Sequence, residues 1–415
     1  MRVYFRRVEV VGEVPEHNRK GCIFIANHFN GLVDPALVMT TAPCDIAPVG
    51  KSTLWKIPVL SWLLRAVHAV PVERRKDNPT KNVTANEATF DEVATCLVNG
   101  SNVLIFPEGI SHNFPEVQRL RTGAARMLAK AMDRGSMVSF QAVGLEFDAR
   151  DVFRSRALVI YGPHRAVSAI ALAPSSQSGD LVTAITRAMA DDLAELVVEG
   201  KTWETRELIA RVAELLAHDE GEQSLAAHNR IGRQVEAVSK VIDERLADQV
   251  TNVRQSVSKY FDALGQAGVR DVDVIQKTRV RWRKRWVLWL QAPLALVGGL
   301  LFALPYQLPR MVARAIAGED HDVVSTYKLG VGLVAYPLWA SALIALGAWL
   351  LRWPYSLLAA TVVLASPWAA LAWLDAVENG PRTPLDRETL LAFRKRAVDS
   401  IRLLESAVRA HDSTS

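Results

Sequence analysis

The chain has 415 residues, with 49 Lys and Arg against 44 Asp and Glu, and its formal net charge of +5 is too small to imply a nucleic-acid partner. Its three cysteines, Cys22, Cys44 and Cys96, are too few and too scattered for a disulfide framework or a zinc site. A reducing, cytosolic surrounding follows.

The N-terminal stretch "MRVYFRRVEVVGEVP" alternates like a strand and lacks the apolar core of a signal peptide, so export by that route is not expected. Next, "CIFIAN", "DIAPVG", "HAVPVERR", "SNVLIFPEG", "MVSFQAVGLEF" and "ALVIYG" read as strands. Between them, residues 35–41, 58–67, 83–98 and 122–132 read as helices. This alternation predicts an α/β domain over residues 1–170, a sheet flanked by helices with ligands at the carboxyl ends of its strands.

Residues 171–280 form an amphipathic helical region. "LVTAITRAMADDLAELVVEG" and "WETRELIARVAELLAHDEG" open it, and Ile231, Val235, Val238, Ile242, Leu246, Val250, Val253 and Val257 then recur three or four apart. The expectation is a helical hairpin packed on itself or on the first domain.

Residues 281–378 read as a membrane region with apolar segments 286–308, 329–351 and 353–374, each near the roughly 20 residues a bilayer requires. Arg279, Arg281, Arg283, Lys284 and Arg285 precede the first segment, and a basic helix over 379–415 follows the last. Both flanks therefore favour the cytoplasm, whereas three full crossings would separate them. Segment 286–308, interrupted by Pro293 and Pro305, is thus expected to lie in the interface or to re-enter. Segments 329–351 and 353–374 would form a hairpin turning at Arg352-Trp353-Pro354, and the final basic helix would rest on acidic headgroups. The reading is a cell-membrane protein with its α/β domain on the cytoplasmic face.

Two clusters carry chemistry. In "IFIANHFNGLVDPALV", His28 is a candidate base at a strand end and Asp34 a candidate to fix its tautomer. The structural alternatives are a satisfied buried histidine and an Asp-Pro helix start, with Asp34 capping and Pro35 first in the helix. In "LIFPEGISHN", Glu108 is a candidate acceptor for substrate hydroxyls, and Gly109 permits a tight turn. Lys51, Arg74 and Arg121 fall just beyond strands or at a helix start, where phosphates are held well. Glycine-rich phosphate loops, GxSxG elbows, CxxC pairs and HExxH motifs are all missing from the sequence.

The order Asn27-His28, Asp34, Lys51, Pro58, Pro71, Arg74, then Phe106-Pro107-Glu108-Gly109 and "AVGLEF", resembles the four blocks of the glycerolipid acyltransferase superfamily. Within it, the sequence is similar to the bacterial glycerol-3-phosphate/dihydroxyacetone-phosphate acyltransferase group, which also has a hydrophobic C-terminal region. The resemblance implies transfer of a fatty acyl group from a thioester of coenzyme A or acyl carrier protein, with no metal or other cofactor. The acceptor would be glycerol 3-phosphate, dihydroxyacetone phosphate or a lysolipid such as 1-acylglycerol 3-phosphate, as in phospholipid biosynthesis. It also implies His28 as general base with Asp34 orienting it, and Arg74 with the Glu108-Gly109 turn binding the acceptor. Lys51 and Arg121 are added on charge and placement. Five residues separate His28 from Asp34 where four are usual, and Gly31 is expected to absorb the extra one. Ser61 and His68 replace usual glycines, His68 being expected to pack beside the site, and Ala142 replaces a usual proline. A catalytically silent lipid-binding or membrane-shaping protein on the same scaffold is the alternative, and a lipid esterase a weaker third.

Overall fold

The computed structural model describes the chain apart from Arg2, Ile57, Asp243, Pro381, Thr383, Leu385 and residues 73–83, 173–179, 277–284, 318–320, 379–380 and 413–415. The described residues fall into two compact units, Met1–Arg206 with Ser224–Arg233, and Glu207–Gln223 with Gln234–Ser415.

The first unit is built on β1 (Arg7–Gly12), β2 (Cys22–Ala26), β3 (Ile46–Lys51), β4 (Val70–Val72), β5 (Asn102–Ile105), β6 (Ser139–Phe147) and β7 (Arg156–Ala166). They form one sheet in the order β1-β7-β6-β2-β5-β3-β4, parallel except where β6 meets β7. Strands β2 and β5 lie inside the sheet and are buried along their whole length. That is why both read as unbroken apolar runs rather than alternations. Asn102 pins the start of this centre. Its amide donates to the carbonyls of Arg19 (2.7 Å) and Asp45 (3.0 Å), and its oxygen accepts from the Cys22 N–H. Because β2, β3, β5 and β6 run the same way, their carboxyl ends share one edge.

Helices α1 (Val33–Thr41), α2 (Pro58–Ala66), α3 (Thr84–Val98), α4 (Gly123–Asp133), α5 (Val167–Leu172) and α6 (Leu181–Ala194) flank the sheet. On α4, Ala124, Met127, Leu128 and Ala131 are buried at helical spacing, placing its apolar face on the core beside α3 and α6. Each fully buried side chain the size of Leu128 contributes roughly 1.5–3 kcal/mol. His68, expected beside the site, is instead exposed with φ +53° in the turn between α2 and β4. Histidine is among the side chains that tolerate this left-handed backbone.

Helix α7 (Trp203–Asp219) starts in the first unit, and α8 (Leu225–Val241) ends in the second. The long apolar series seen in sequence is divided between α8 and α9 (Ala247–Ala267), which stops at Gly268 with φ +63°. A glycine there ends a helix without Cβ strain. In the second unit α9 packs against α15 (Arg387–Asp412), with Val257, Tyr260, Val398 and Ile401 in the shared core. The short α10 (Asp271–Ile275) joins them.

At its centre the Asp271 carboxylate, fully buried, accepts from His218 Nδ1 (2.6 Å), Arg394 Nε (2.9 Å) and the Tyr260 hydroxyl. Arg394 also reaches Asp219 at 2.7 Å, which Arg402 contacts at 3.1 Å. Arg387 donates to the carbonyls of Val274 and Ile275, and Arg409 pairs with Glu405. Arg394 is thus committed within the protein, while Lys395, Arg396, Arg402 and Arg409 stay exposed.

Four apolar helices complete the unit: α11 (Arg285–Leu301), α12 (Ala303–Ala317), α13 (His321–Leu350) and α14 (Tyr355–Glu378). Thr326–Leu350 and Tyr355–Glu378 are each long and apolar enough to cross a membrane. Trp286–Leu301 and Ala303–Ala315 are bent by 48° at their junction, a broken span or re-entrant loop. Pro305 lies in the first turn of α12, where its missing N–H is tolerated. Helices α11 and α14 approach closely at Gly298, where a Cβ would sit 2.2 Å from the Ser366 carbonyl oxygen. Small residues permit such contacts between apolar helices.

Candidate active site

The carboxyl end of β2 delivers Asn27 and His28. Asn27 extends the β2–β6 ladder with its side chain, donating to the Leu145 carbonyl (2.9 Å) and accepting the Leu145 N–H (2.8 Å). The chain then turns through Phe29–Leu32 into α1. Asp34 sits in the first turn of that helix with no exposure.

The aspartate does not cap α1. It reaches back, its Oδ2 accepting from His28 Nδ1 (3.1 Å) and from the N–H groups of Phe29 (2.7 Å) and Asn30 (2.6 Å). Its Oδ1 accepts from the Asn30 side chain at 3.2 Å. Base candidate and carboxylate thus meet across the five residues between them. A carboxylate only accepts, so Nδ1 of His28 carries a proton, and in the neutral ring Nε2 holds the lone pair. Phe106 stacks on the imidazole, with ring centres 3.9 Å apart at 19°, and fixes its plane.

The carboxyl end of β5, next to β2, delivers Phe106–Gly109. Glu108 is buried, and its carboxylate accepts from the His28 N–H (2.9 Å), the Gln118 N–H (2.7 Å) and the His112 ring. All three of these donors belong to the protein itself. The open part of this turn is Gly109. Its φ is +77°, and a Cβ there would lie 2.7 Å from the Arg121 Nε. Arg121 also donates its N–H to the Pro107 carbonyl at 2.8 Å, so the structure brings this cation onto the turn. Gly109→Ala is expected to lower stability by about 1–2 kcal/mol through left-handed strain, read as a lower thermal midpoint of the purified protein.

Lys51 ends β3, paired with Val72 of β4, on the same sheet edge but with no described contact to the His28 loop. Arg74 lies outside the described residues. Sequence reasoning assigned no role to Asn30, His112 or Gln118. It also missed Arg206, which pairs with Glu146 (3.0 Å) and lies over Phe29 (5.1 Å) and Trp203 (5.4 Å). Arg150 lies over the same two rings at 5.6 and 5.5 Å. Two guanidinium groups thus lie over Phe29, the neighbour of His28. Among the described residues no group of acidic, histidine and cysteine side chains is placed to hold a metal ion.

Residues 7–144, which contain all these strand ends except the close of β6, match the Acyltransferase family model. An uncharacterized acyltransferase of Schizosaccharomyces pombe is 24% identical over 281 residues, 60% of this chain and 40% of that protein. Glycerol-3-phosphate O-acyltransferase 2 of Saccharomyces cerevisiae is 25% identical over 277 residues, 61% of this chain and 37% of that protein. The chain thus matches about two fifths of the length of these curated relatives. The 1-acyl-sn-glycerophosphate acyltransferase PlsC of Thermotoga maritima superposes with a TM-score of 0.32 at 18% identity, over 46% of this chain and 72% of that one.

The sheet, its strand-end site and the family match define the first unit as an acyltransferase domain. Through this domain the chain is similar to the glycerolipid acyltransferase superfamily.

Proposed function

We propose that the protein is a membrane-bound O-acyltransferase. It moves a fatty acyl group from a thioester of coenzyme A or acyl carrier protein to glycerol 3-phosphate, dihydroxyacetone phosphate or 1-acylglycerol 3-phosphate. The observation that carries this reading is the 3.1 Å bond between His28 and Asp34, set beside Glu108 in a domain of this family.

In this mechanism Nε2 of His28 takes the acceptor hydroxyl proton as the oxygen attacks the thioester carbonyl. Asp34 stabilises the imidazolium that forms. The tetrahedral intermediate collapses with cleavage of the C–S bond, the proton passes from Nε2 to the departing thiolate, and an ester and a free thiol leave. A thioester is already activated, so general-base help of about 10²–10⁴-fold together with positioning suffices without a metal or other cofactor. Arg121, Lys51 and Arg74 are the proposed holders of the acceptor phosphate, with Gly109 as the floor beneath it. The apolar helices α13 and α14 would hold the protein in the cell membrane with the first unit on the cytoplasmic face. The curated relative named for glycerol 3-phosphate agrees with this choice of acceptor.

The test supplies detergent-purified protein with labelled long-chain acyl-CoA, or acyl carrier protein, and each acceptor in turn, a lysophospholipid included. Labelled product from one acceptor is expected. No product from any donor and acceptor pair would overturn the proposal in favour of a silent lipid-binding protein.

A further inference from the structure

Asp34 and Phe106 hold the ring of His28, but a base is placed by its backbone as well. Both backbone polar groups of His28 are bound by the segment from Glu108 to His112. The His28 N–H donates to Glu108 Oε1 (2.9 Å), and the His28 carbonyl accepts the His112 N–H (3.2 Å). The segment is itself closed by the bond between the His112 ring and Glu108 Oε2. The result is a closed ring of hydrogen bonds linking residues 28, 108 and 112.

The proton positions in this ring follow from its geometry. The Phe114 N–H donates to Nδ1 of His112 at 3.1 Å, so Nδ1 carries the lone pair. The proton of neutral His112 is therefore on Nε2 and is donated to Glu108. Together with the Gln118 N–H (2.7 Å), this gives the buried carboxylate three donors. His112 is buried too, its ring edge-on to Phe29 at 5.9 Å. Neither side chain is turned to solvent, and the bonds described for both lie within the protein.

We infer that His112 is a positioning residue that acts through Glu108, the pair clamping the backbone of His28 so that its ring meets the acceptor hydroxyl in line. The inference rests on the acyl-transfer reading above. It assigns Glu108 to placing the base rather than to binding the acceptor, and it gives a task to a histidine that the transfer steps do not use. A misplacement of about 1 Å at a reacting group lowers rate by about 10²-fold. Loss of the clamp should therefore appear in kcat, with KM for donor and acceptor little changed.

The test compares steady-state kinetics of the full-length wild type with His112→Phe, His112→Gln and Glu108→Gln, each checked for folding by thermal unfolding. Phenylalanine keeps the ring shape but donates nothing, whereas the glutamine amide at position 112 can restore a donor to Glu108. Glu108→Gln keeps only one acceptor oxygen, so its NH2 must face either the His28 N–H or the two donors now at Oε2, and the ring is broken either way. The expected result is a fall in kcat of about 10²-fold for His112→Phe and Glu108→Gln at nearly constant KM, with His112→Gln recovering most of the loss. Should His112→Phe fail to fold, Glu108→Gln decides by the same split. An unchanged kcat, or a rise in acceptor KM alone, would overturn the inference and place the pair on the substrate. A wild type without activity would instead overturn the acyl-transfer reading.

Discussion

His28→Ala is expected to lower acyl transfer by about 10²–10⁴-fold while leaving the protein folded. The ring lies at a strand end, and its removal deletes one bond to Asp34 and one stack on Phe106 while keeping the backbone bonds to Glu108 and His112. Asp34 requires a subtler substitution. Alanine there would strand the N–H groups of Phe29 and Asn30, each unsatisfied donor costing about 1–3 kcal/mol, so lost activity could reflect lost structure. In Asp34→Asn the amide oxygen can still accept those bonds, and what is lost is the charge and the weaker bond that Oδ1 accepts from the Asn30 side chain. A large fall in rate with a small shift in thermal midpoint would assign Asp34 to stabilising the imidazolium. Equal losses in both measurements would make it a structural residue, and an unchanged rate in His28→Ala would remove the general-base mechanism.

The second large effect is expected far from the chemistry. Removing the Asp271 carboxylate in Asp271→Ala leaves the Arg394 guanidinium without its buried partner, and breaking such a pair typically costs about 3–5 kcal/mol. Because Asp271, His218, Tyr260 and Arg394 belong to α10, α7, α9 and α15, the loss should loosen all four elements together. Thermal unfolding by circular dichroism should show a lower midpoint, with the C-terminal helix becoming open to proteolysis.

Acid provides a second test of the same node. Burial pushes the Asp271 carboxyl upward, but His218, Arg394 and Tyr260 outweigh it and hold the group below its usual 3.8. A depressed carboxyl contributes stability that is complete above the unfolded value and is lost as pH falls through the folded one. The gap in midpoint between wild type and Asp271→Asn should therefore persist near neutrality and narrow only below about pH 4. A gap already closing near pH 6 would point to histidine as the controlling group.

How much of this was legible in the sequence differs from element to element. Strands β2 and β5 announced themselves because a strand buried on both faces must be apolar throughout, and the helices α3 and α4 because their burial repeats every three or four residues. Strand β7 was read as ending near Gly162, yet it pairs on to Ala166 through "PHRA". Its ladder comes from β6, so polar side chains do not interrupt it. The His28–Asp34 bond was anticipated from their proximity in the chain. His112 was not, since four residues in an irregular loop define no common face. The pairing of α9 with α15 left no local mark either, because an amphipathic helix states that it has a partner without stating which. The basic residues of α15 suggested headgroups, but a count of charges does not reveal the buried carboxylate that Arg394 meets. Arg74 and the basic cluster from Arg279 to Lys284 lie outside the described residues.

The ring around His28 also bears on the order of assembly. The contact with Asp34 closes a loop of six residues, whereas that with Glu108 joins positions eighty apart. Closing the longer loop carries the greater entropic cost, and it is met only when β5 has paired with β2. During synthesis, a nascent chain that has emerged as far as α3 already contains both members of the dyad but not the groups that hold the base in place. A working site therefore arises late, as a product of the completed central sheet, and any lesion that delays β2–β5 pairing is felt first as missing activity rather than as missing secondary structure.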